Sequence, residues 1–424
     1  MKINVIGGGL AGSEAAIYIA NKGIPVRLFE MRPLKQTEAH RGSLFAEIVC
    51  SNSFGSKELE NGRGLLKHEA FLLGSSLLRI ASECNVPAGK ALAVDRNCFS
   101  RRVTELIESN PYIEVVRKEV TEIPEGISII ATGPLTSNLF LNYLKDFLRT
   151  DNLFFYDALS PVVTFESLDM SKLFWGGRYN QPSDYLNAPF SQEEYEKFYN
   201  ELIHAERHLP HDFDRKFFEA CLPIEEIAMR GKDALRFGPL RPKGFGREYY
   251  AVVQLRRENK EGTLFELVGF QTALKYSEQK RVFRFIPGLE NAVFVRYGSI
   301  HKNAYIKANV LLNEFLQLKK NPSIFFAGQI SGVEGYVESI ATGLFAAINA
   351  IKFLKKEELI PLPQTTMLGS LIRFVTTNLL ENPQPMRANF GIIPADYFEL
   401  PKKTRKKKFV EDSIKSIELF KRSL

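Results

Sequence analysis

The sequence predicts an α/β protein: a parallel sheet of the dinucleotide-binding type, whose halves lie at the two ends of the chain, interrupted by an inserted α+β domain. Three observations predict it. An apolar run at the N-terminus leads straight into a glycine turn and a helix-like segment. Two later apolar runs, within 126–133 and 323–329, also end in small-residue turns. Between them, from about residue 156, the pattern shifts to loose strand alternation with a long hairpin turn.

The elements follow in order. Ile3–Ile6 is short and mostly apolar, as a buried parallel strand should be. It enters Gly7-Gly8-Gly9-Leu10-Ala11-Gly12, then SEAAIYIANKG, a helix-like segment stopped by Gly23. A second strand, Pro25–Phe29, ends at Glu30. Gly7, Gly9 and Gly12 form GxGxxG in register with strand, helix, second strand and acid. Gly7 permits the tight turn, Gly9 lets backbone approach a pyrophosphate, and Gly12 lets the helix pack close. The helix start at Leu10 and Ala11 offers N–H groups and a positive dipole end to phosphates, and Glu30 can accept from ribose hydroxyls.

Gly126–Gly133 (GISIIATG) and Ser323–Gln329 (SIFFAGQ) read as further buried strands. The second leads through Ile330–Gly335 into the helix-like ESIATGLFAAINAIKFL. Late segments of this kind favour FAD over a nicotinamide in the first site: a Rossmann-like FAD-binding domain of the two-dinucleotide-fold flavoprotein type. Gly328 and Gly335 then face the flavin or pyrophosphate, and residues near 1 and near 330 become neighbours. The expected domains are 1–155, the inserted 156–290, and 291–424. Within the insertion, Tyr249–Leu255 and Leu264–Phe270 read as a hairpin turning through Asn259–Gly262. Asn200–Lys216 is more helix-like but broken by Pro210. After Pro361 and Pro363 come a helix-like Met367–Leu380, a Pro/Asn-rich loop, a basic run and a last helix, Phe409–Arg422.

The chain has 424 residues, 45% hydrophobic and 25% charged, which fits two or three globular domains and excludes a mainly disordered chain. No unbroken apolar stretch of about 20 residues argues for a membrane span, and the N-terminus lacks a signal-peptide pattern. A cytoplasmic protein with no membrane partner is expected; the oligomeric state is left open. The net charge is +7, with much of the excess in Lys402, Lys403, Arg405, Lys406, Lys407 and Lys408. That run is either a solvated tail or a contact for a polyanion such as RNA.

The four cysteines (Cys50, Cys84, Cys98 and Cys221) contain no CxxC pair, which argues against a zinc cage or a disulfide framework. Cys84 and Cys98 look like ordinary interior residues. Cys50, followed by Ser51-Asn52-Ser53, is either a thiol presented by a polar loop or a buried structural cysteine. Cys221 has apolar neighbours that favour the structural reading. His204, His208 and His211 have helical spacing, but Pro210 interrupts it and no carboxylate completes a metal set. His301 stands just before the return to the dinucleotide domain, as a cleft-lining residue or a structural hydrogen-bonding one.

Several strings coincide in one family. GGGLAGSEAA, FEMRP, IVCSNSFGS, GLLKHE, CLPIEEIAMRG, LRFGPLRPKG, GFQTALKY, IPGLENAVFVRYGSIHKN, FFAGQISGVEGYVESIATG and NFGIIP run in order along essentially the whole chain. The sequence resembles the folate- and FAD-dependent uracil-5-methyltransferases of transfer RNA, the TrmFO family. These strings separate it from longer, related flavoproteins that modify wobble uridine. It departs from the family at Arg387, where an asparagine is usual.

The resemblance implies methylation of uracil C5, foremost at a T-loop uridine of tRNA, with 5,10-methylenetetrahydrofolate as carbon donor. FAD would serve as reductant and methylene relay, with NADPH or NADH reloading it. It implies that Cys50 and Cys221 are the functional thiols, Cys221 as nucleophile at C6 and Cys50 as acid/base partner. It places His301 and Tyr336 near flavin and folate. The alternatives are the same chemistry on ribosomal RNA, an FAD oxidoreductase of a small molecule, or an RNA-binding flavoprotein without catalysis. RNA contacts are expected from the insertion domain, from Arg and Lys between Arg230 and Arg247, and from Lys402, Lys403, Arg405 and Lys406.

Overall fold

The computed structural model describes residues 2–150, 153–208, 222–381 and 383–424. Its central sheet is parallel and five-stranded, in the order Ile324–Phe326, Ser128–Ile130, Ile3–Ile6, Val26–Glu30, Ile113–Arg117. Residues near 1 and near 330 therefore share one sheet, separated by a single strand. Strands buried on both faces, such as Ile3–Ile6, need cover on both sides. Helices Leu10–Asn21 and Tyr336–Leu354 supply part of it. These two helices pack closely because Gly343 carries no side chain: a Cβ there would stand 2.2 Å from the Ala11 carbonyl oxygen.

Helix Tyr336–Leu354 is, by length and composition, apolar enough to cross a membrane, but most of it is buried inside the molecule. Its apolarity is that of a core helix packed nearly all round.

The insertion is built on a six-stranded antiparallel sheet, ordered Phe174–Gly176, Tyr185–Phe190, Ala251–Arg257, Leu264–Leu267, Val162–Thr164, Phe294–Arg296. The expected hairpin is its third and fourth strands. The last strand lies beyond residue 290, because Phe294 pairs with Val163 at the start of the same sheet. Helix Gln192–His204, opened by a Ser191–Glu194 capping box, covers one face. The insertion has its own core around Phe190, Phe198, Phe265, Phe270 and Phe283, separate from the core of the dinucleotide domain.

Three expectations change. Cys84 and Cys98 are joined by a disulfide. Cys84 ends helix Ser76–Glu83 and Cys98 lies in the first turn of Arg96–Glu108, with Cα atoms 5.8 Å apart, a proximity that spacing alone does not reveal. The basic run is also not a tail: helix Lys402–Arg422 begins at its first lysine and docks through Phe409, Ile417 and Phe420. Helix Met367–Thr377 ends three residues before the expected Leu380.

Candidate active site

A cleft of about 550 Å³ opens where the two ends of the chain meet the insertion. Gly7, Gly9, Leu10 and Ala11 form part of its floor. Gly7 has φ +104°, a conformation that favours glycine. A Cβ on Gly12 would stand 1.8 Å from the Gly7 carbonyl oxygen, whereas Gly9 has open space before it. Helix Leu10–Asn21 has no side-chain N-cap and no acid in its first turn, so its leading N–H groups and dipole are available to an anion in the cleft.

The Gly8 N–H donates to Glu30 Oε2 at 2.9 Å. Burial opposes ionisation of Glu30. The Arg32 guanidinium at 3.0 Å and the N–H groups of Arg32 and Gly8 nevertheless hold its carboxyl below the usual range. Glu30 is thus an acceptor at the strand end, as dinucleotide ribose recognition requires.

Gly328, Gly335 and Tyr336 form the opposite wall. Helix Tyr336–Leu354 also lacks a side-chain N-cap, so two helix starts converge on one cleft. Glu338, in its first turn, is fully buried and accepts from the Ala388 N–H at 3.0 Å. Burial pushes its carboxyl up. Arg387 lines the cleft and pairs with Glu334 at 3.3 Å.

Cys50 lines the same cleft, half-buried and outside any disulfide. Its N–H donates to Tyr336 Oη at 2.9 Å, and its carbonyl accepts from Arg96. Arg96 also donates to the Ile48 carbonyl at 2.6 Å and pairs with Glu258. Arg256 donates to Asn52 Oδ1 at 2.9 Å and to Ser51 Oγ, and pairs with Glu266.

Arg296 is half-buried against this cluster, within electrostatic reach of the Cys50 sulfur. Three guanidiniums and two carboxylates thus lie beneath the Cys50 segment, a net positive setting. Burial works against the charge on Arg96, but Glu258 holds it firmly protonated. Burial likewise opposes ionisation of Glu258, and Arg96 overrides it. Burial pushes Glu266 up against the pull of Arg256.

Other expected site residues are distributed differently. His301 lies on strand Ile300–Tyr305, and Asn303 on that strand lines the cleft; the His301 side chain lies outside the described residues. Cys221, Pro210 and His211 lie wholly outside them, although Leu222 lines the cleft. Lys406 donates to the Glu60 carbonyl at 3.2 Å, and Arg405 lies 4.3 Å over the Phe398 ring. Neither lines the cleft. The side chains of Lys402 and Lys403 are outside the described residues. Among the described residues no His, Cys, Asp or Glu cluster is placed to hold a metal, and His204 Nδ1 donates locally to the Asn200 carbonyl at 2.7 Å.

Sequence reasoning missed Arg32, Arg96, Arg256 and Glu266. The available signal was a charge inside an otherwise apolar strand, as Glu266 is in Leu264–Leu267.

The family model described as Glucose inhibited division protein A matches residues 2–358. The methylenetetrahydrofolate--tRNA-(uracil-5-)-methyltransferase TrmFO of Thermotoga sp. (strain RQ2) is 53% identical over 429 residues, 99% of each chain. That of Carboxydothermus hydrogenoformans is 55% identical over 425 residues, 98% of each chain. The chain belongs to the TrmFO family. Among solved structures, Aquifex aeolicus GidA superposes with a TM-score of 0.73 at 17% identity, covering all of this chain and 73% of that one. At that identity the likeness is one of fold, and it extends through the inserted sheet of this TrmFO-family member.

Proposed function

We propose that this chain methylates uracil C5 in RNA, foremost a T-loop uridine of tRNA, using 5,10-methylenetetrahydrofolate as carbon donor and FAD as redox cofactor. Cytoplasmic NADPH or NADH would be the reductant. The observation that carries the reading is that Cys50 and Tyr336 open into the same cleft as the Gly7–Gly12 turn and Glu30.

The residues present fit FAD. The open space before Gly9 and the uncapped start of helix Leu10–Asn21 suit its pyrophosphate, and the Glu30 carboxylate suits its ribose. Bound there and reduced by the nicotinamide, FAD would supply the two electrons that bring the folate carbon from the formaldehyde to the methyl level. Gly328, Gly335 and Tyr336 would wall the isoalloxazine side.

The chain's own work is to activate uracil. A thiolate adds to C6, forming a sulfur–carbon bond and an enolate whose C5 attacks the electrophilic carbon, and that carbon's bond to its donor nitrogen breaks. A second group then takes the C5 proton, and the thiolate leaves. The reading gives addition to Cys221 and the proton to Cys50. The net positive charge beneath Cys50 favours a sulfur that carries negative charge between proton transfers. Tyr336 and Arg96 orient it by holding both sides of its backbone. The target uridine must leave its stack to reach this depth.

RNA incubated with labelled methylenetetrahydrofolate should gain label in 5-methyluridine; no transfer to any RNA overturns the reading. With 5-fluorouridine RNA, the fluorine blocks release and the adduct should stay on Cys221. An adduct retained in Cys221→Ala and lost in Cys50→Ala would reverse the two thiols. Mass mapping of 5-methyluridine in a strain lacking the protein separates a transfer from a ribosomal RNA target. The Lys402–Lys408 run is proposed to contact phosphates. Neutralising it should lower the salt slope of RNA binding by about 0.9 for each phosphate that no longer meets a cation, and an unchanged slope would mean the run serves only docking and solvation.

A further inference from the structure

Residues 229–250 hold six Lys or Arg against two carboxylates, so a large share of the chain's +7 is concentrated in one short excursion of the insertion. Its helix Ala234–Phe237 is firmly anchored. Leu235 and Leu240 on either side are fully buried. Arg236 donates to the Tyr250 carbonyl at 2.9 Å, pairs with Asp233 at 2.6 Å, and lies 3.9 Å over the Tyr250 ring. Yet Phe237, the next residue, is 84% exposed.

Phe237 lies close to the cleft along the chain. Ile227 and Pro239 line the cleft, and Phe237 is two residues from Pro239, within about 7 Å of chain. Exposed cations surround it in sequence: Arg230, Arg241, Lys243 and Arg247. The segment bearing them is held in place, since Arg178 donates to the Lys243 carbonyl at 3.1 Å and the Tyr179 N–H to the Gly244 carbonyl at 2.7 Å.

We propose that Phe237 is a stacking platform for a nucleobase adjacent to the target uridine, where single-stranded RNA enters the cleft. The proposal rests on the RNA-methylating reading and names the surface that delivers the substrate. A nucleobase presents a flat face to the phenyl ring while its phosphates meet the cations, the combination by which unpaired strands are held. Extracting the target uridine removes a neighbour's stacking partner, and Phe237 replaces it. Charge selects RNA over a second copy of this chain, since two such basic surfaces repel.

The test uses the full flavin-loaded chain and compares wild type, Phe237→Ala and Phe237→Trp. The alanine variant should lose about 5- to 150-fold in RNA affinity or in kcat/KM for RNA, the range of one base–aromatic stack, while melting at the wild-type temperature. The tryptophan variant should recover most of the loss. On RNA made abasic beside the target, the alanine and wild-type proteins should bind alike. Wild-type-like RNA binding and turnover by Phe237→Ala would overturn the proposal. A changed oligomeric state with intact RNA binding would overturn it too, assigning the ring to a protein interface. If wild type binds RNA but transfers no methyl group, the methylation reading fails and the binding comparison still decides on Phe237.

Discussion

Cys50 is held by its backbone, with the N–H on Tyr336 Oη and the carbonyl on Arg96. Those contacts fix where the sulfur starts, and they come from residues 46 and 286 positions away in sequence. Glu30 is the complementary case, a single carboxylate ordered by Gly8 and Arg32 at the end of its strand. Glu30→Gln keeps the shape but removes the charge and puts an amide where an acceptor is needed. It should weaken FAD binding by about 5- to 150-fold, the 1–3 kcal/mol of a buried group left mismatched, read by titrating apoprotein with FAD and following flavin fluorescence. Unchanged affinity would remove Glu30 from the dinucleotide site. Gly7, Gly9, Gly12, Glu30 and Gly335 could be picked out from sequence because each belongs to a local strand–turn–helix pattern, whereas Tyr336 was implied only by the family resemblance. Arg96 and Arg256 could not, because their partners are set only by the packing of the insertion on the first domain.

Buried glutamates join elements across the dinucleotide domain. Glu14, on helix Leu10–Asn21, accepts from the N–H groups of Ser76 and Leu77 and so caps helix Ser76–Glu83. Glu69 accepts from the N–H groups of Met367 and Leu368, and from Ser413 Oγ on the C-terminal helix. Burial pushes each carboxyl from 4.5 up to about 7. A folded-state pKa above the unfolded one means the folded chain binds the proton more tightly. That stability is fully present below about pH 4.5 and is lost as pH rises through about 7, on the order of 3 kcal/mol per group. Urea midpoints should therefore fall between pH 5 and 8, and the fall should be smaller in Glu69→Gln; an equal fall would put the pH dependence elsewhere. Helix packing gives a second check. Gly343→Ala forces a methyl onto the Ala11 carbonyl and should cost about 1–3 kcal/mol, seen as a lower melting temperature and weaker flavin retention. A wild-type melting curve would mean the two helices part freely.

Across the whole molecule, the insertion is bound to the dinucleotide domain by buried charge. Arg96 pairs with Glu258, Arg256 reaches Ser51 and Asn52, and Asn52 Nδ2 bridges the carbonyls of Val94 and Arg257. Arg256→Ala leaves Glu266 buried without its partner and should cost about 3–5 kcal/mol, while Arg256→Leu combined with Glu266→Leu should recover much of it. Chemical denaturation of the single and double variants measures the difference, and additive losses would show that the pair does not act as a unit. The sequence by itself determined the parallel dinucleotide sheet, its return near residue 330 and the hairpin of the insertion. Strand periodicity, glycine turns and apolar runs are local properties, and short segments carry them whole. Tertiary structure alone decided that Cys84 meets Cys98, that the basic run docks as a helix, and that three arginines gather beneath Cys50. Such contacts arise when surfaces far apart in the chain are buried against each other, and a buried charge must then find whatever partner that burial brings within reach.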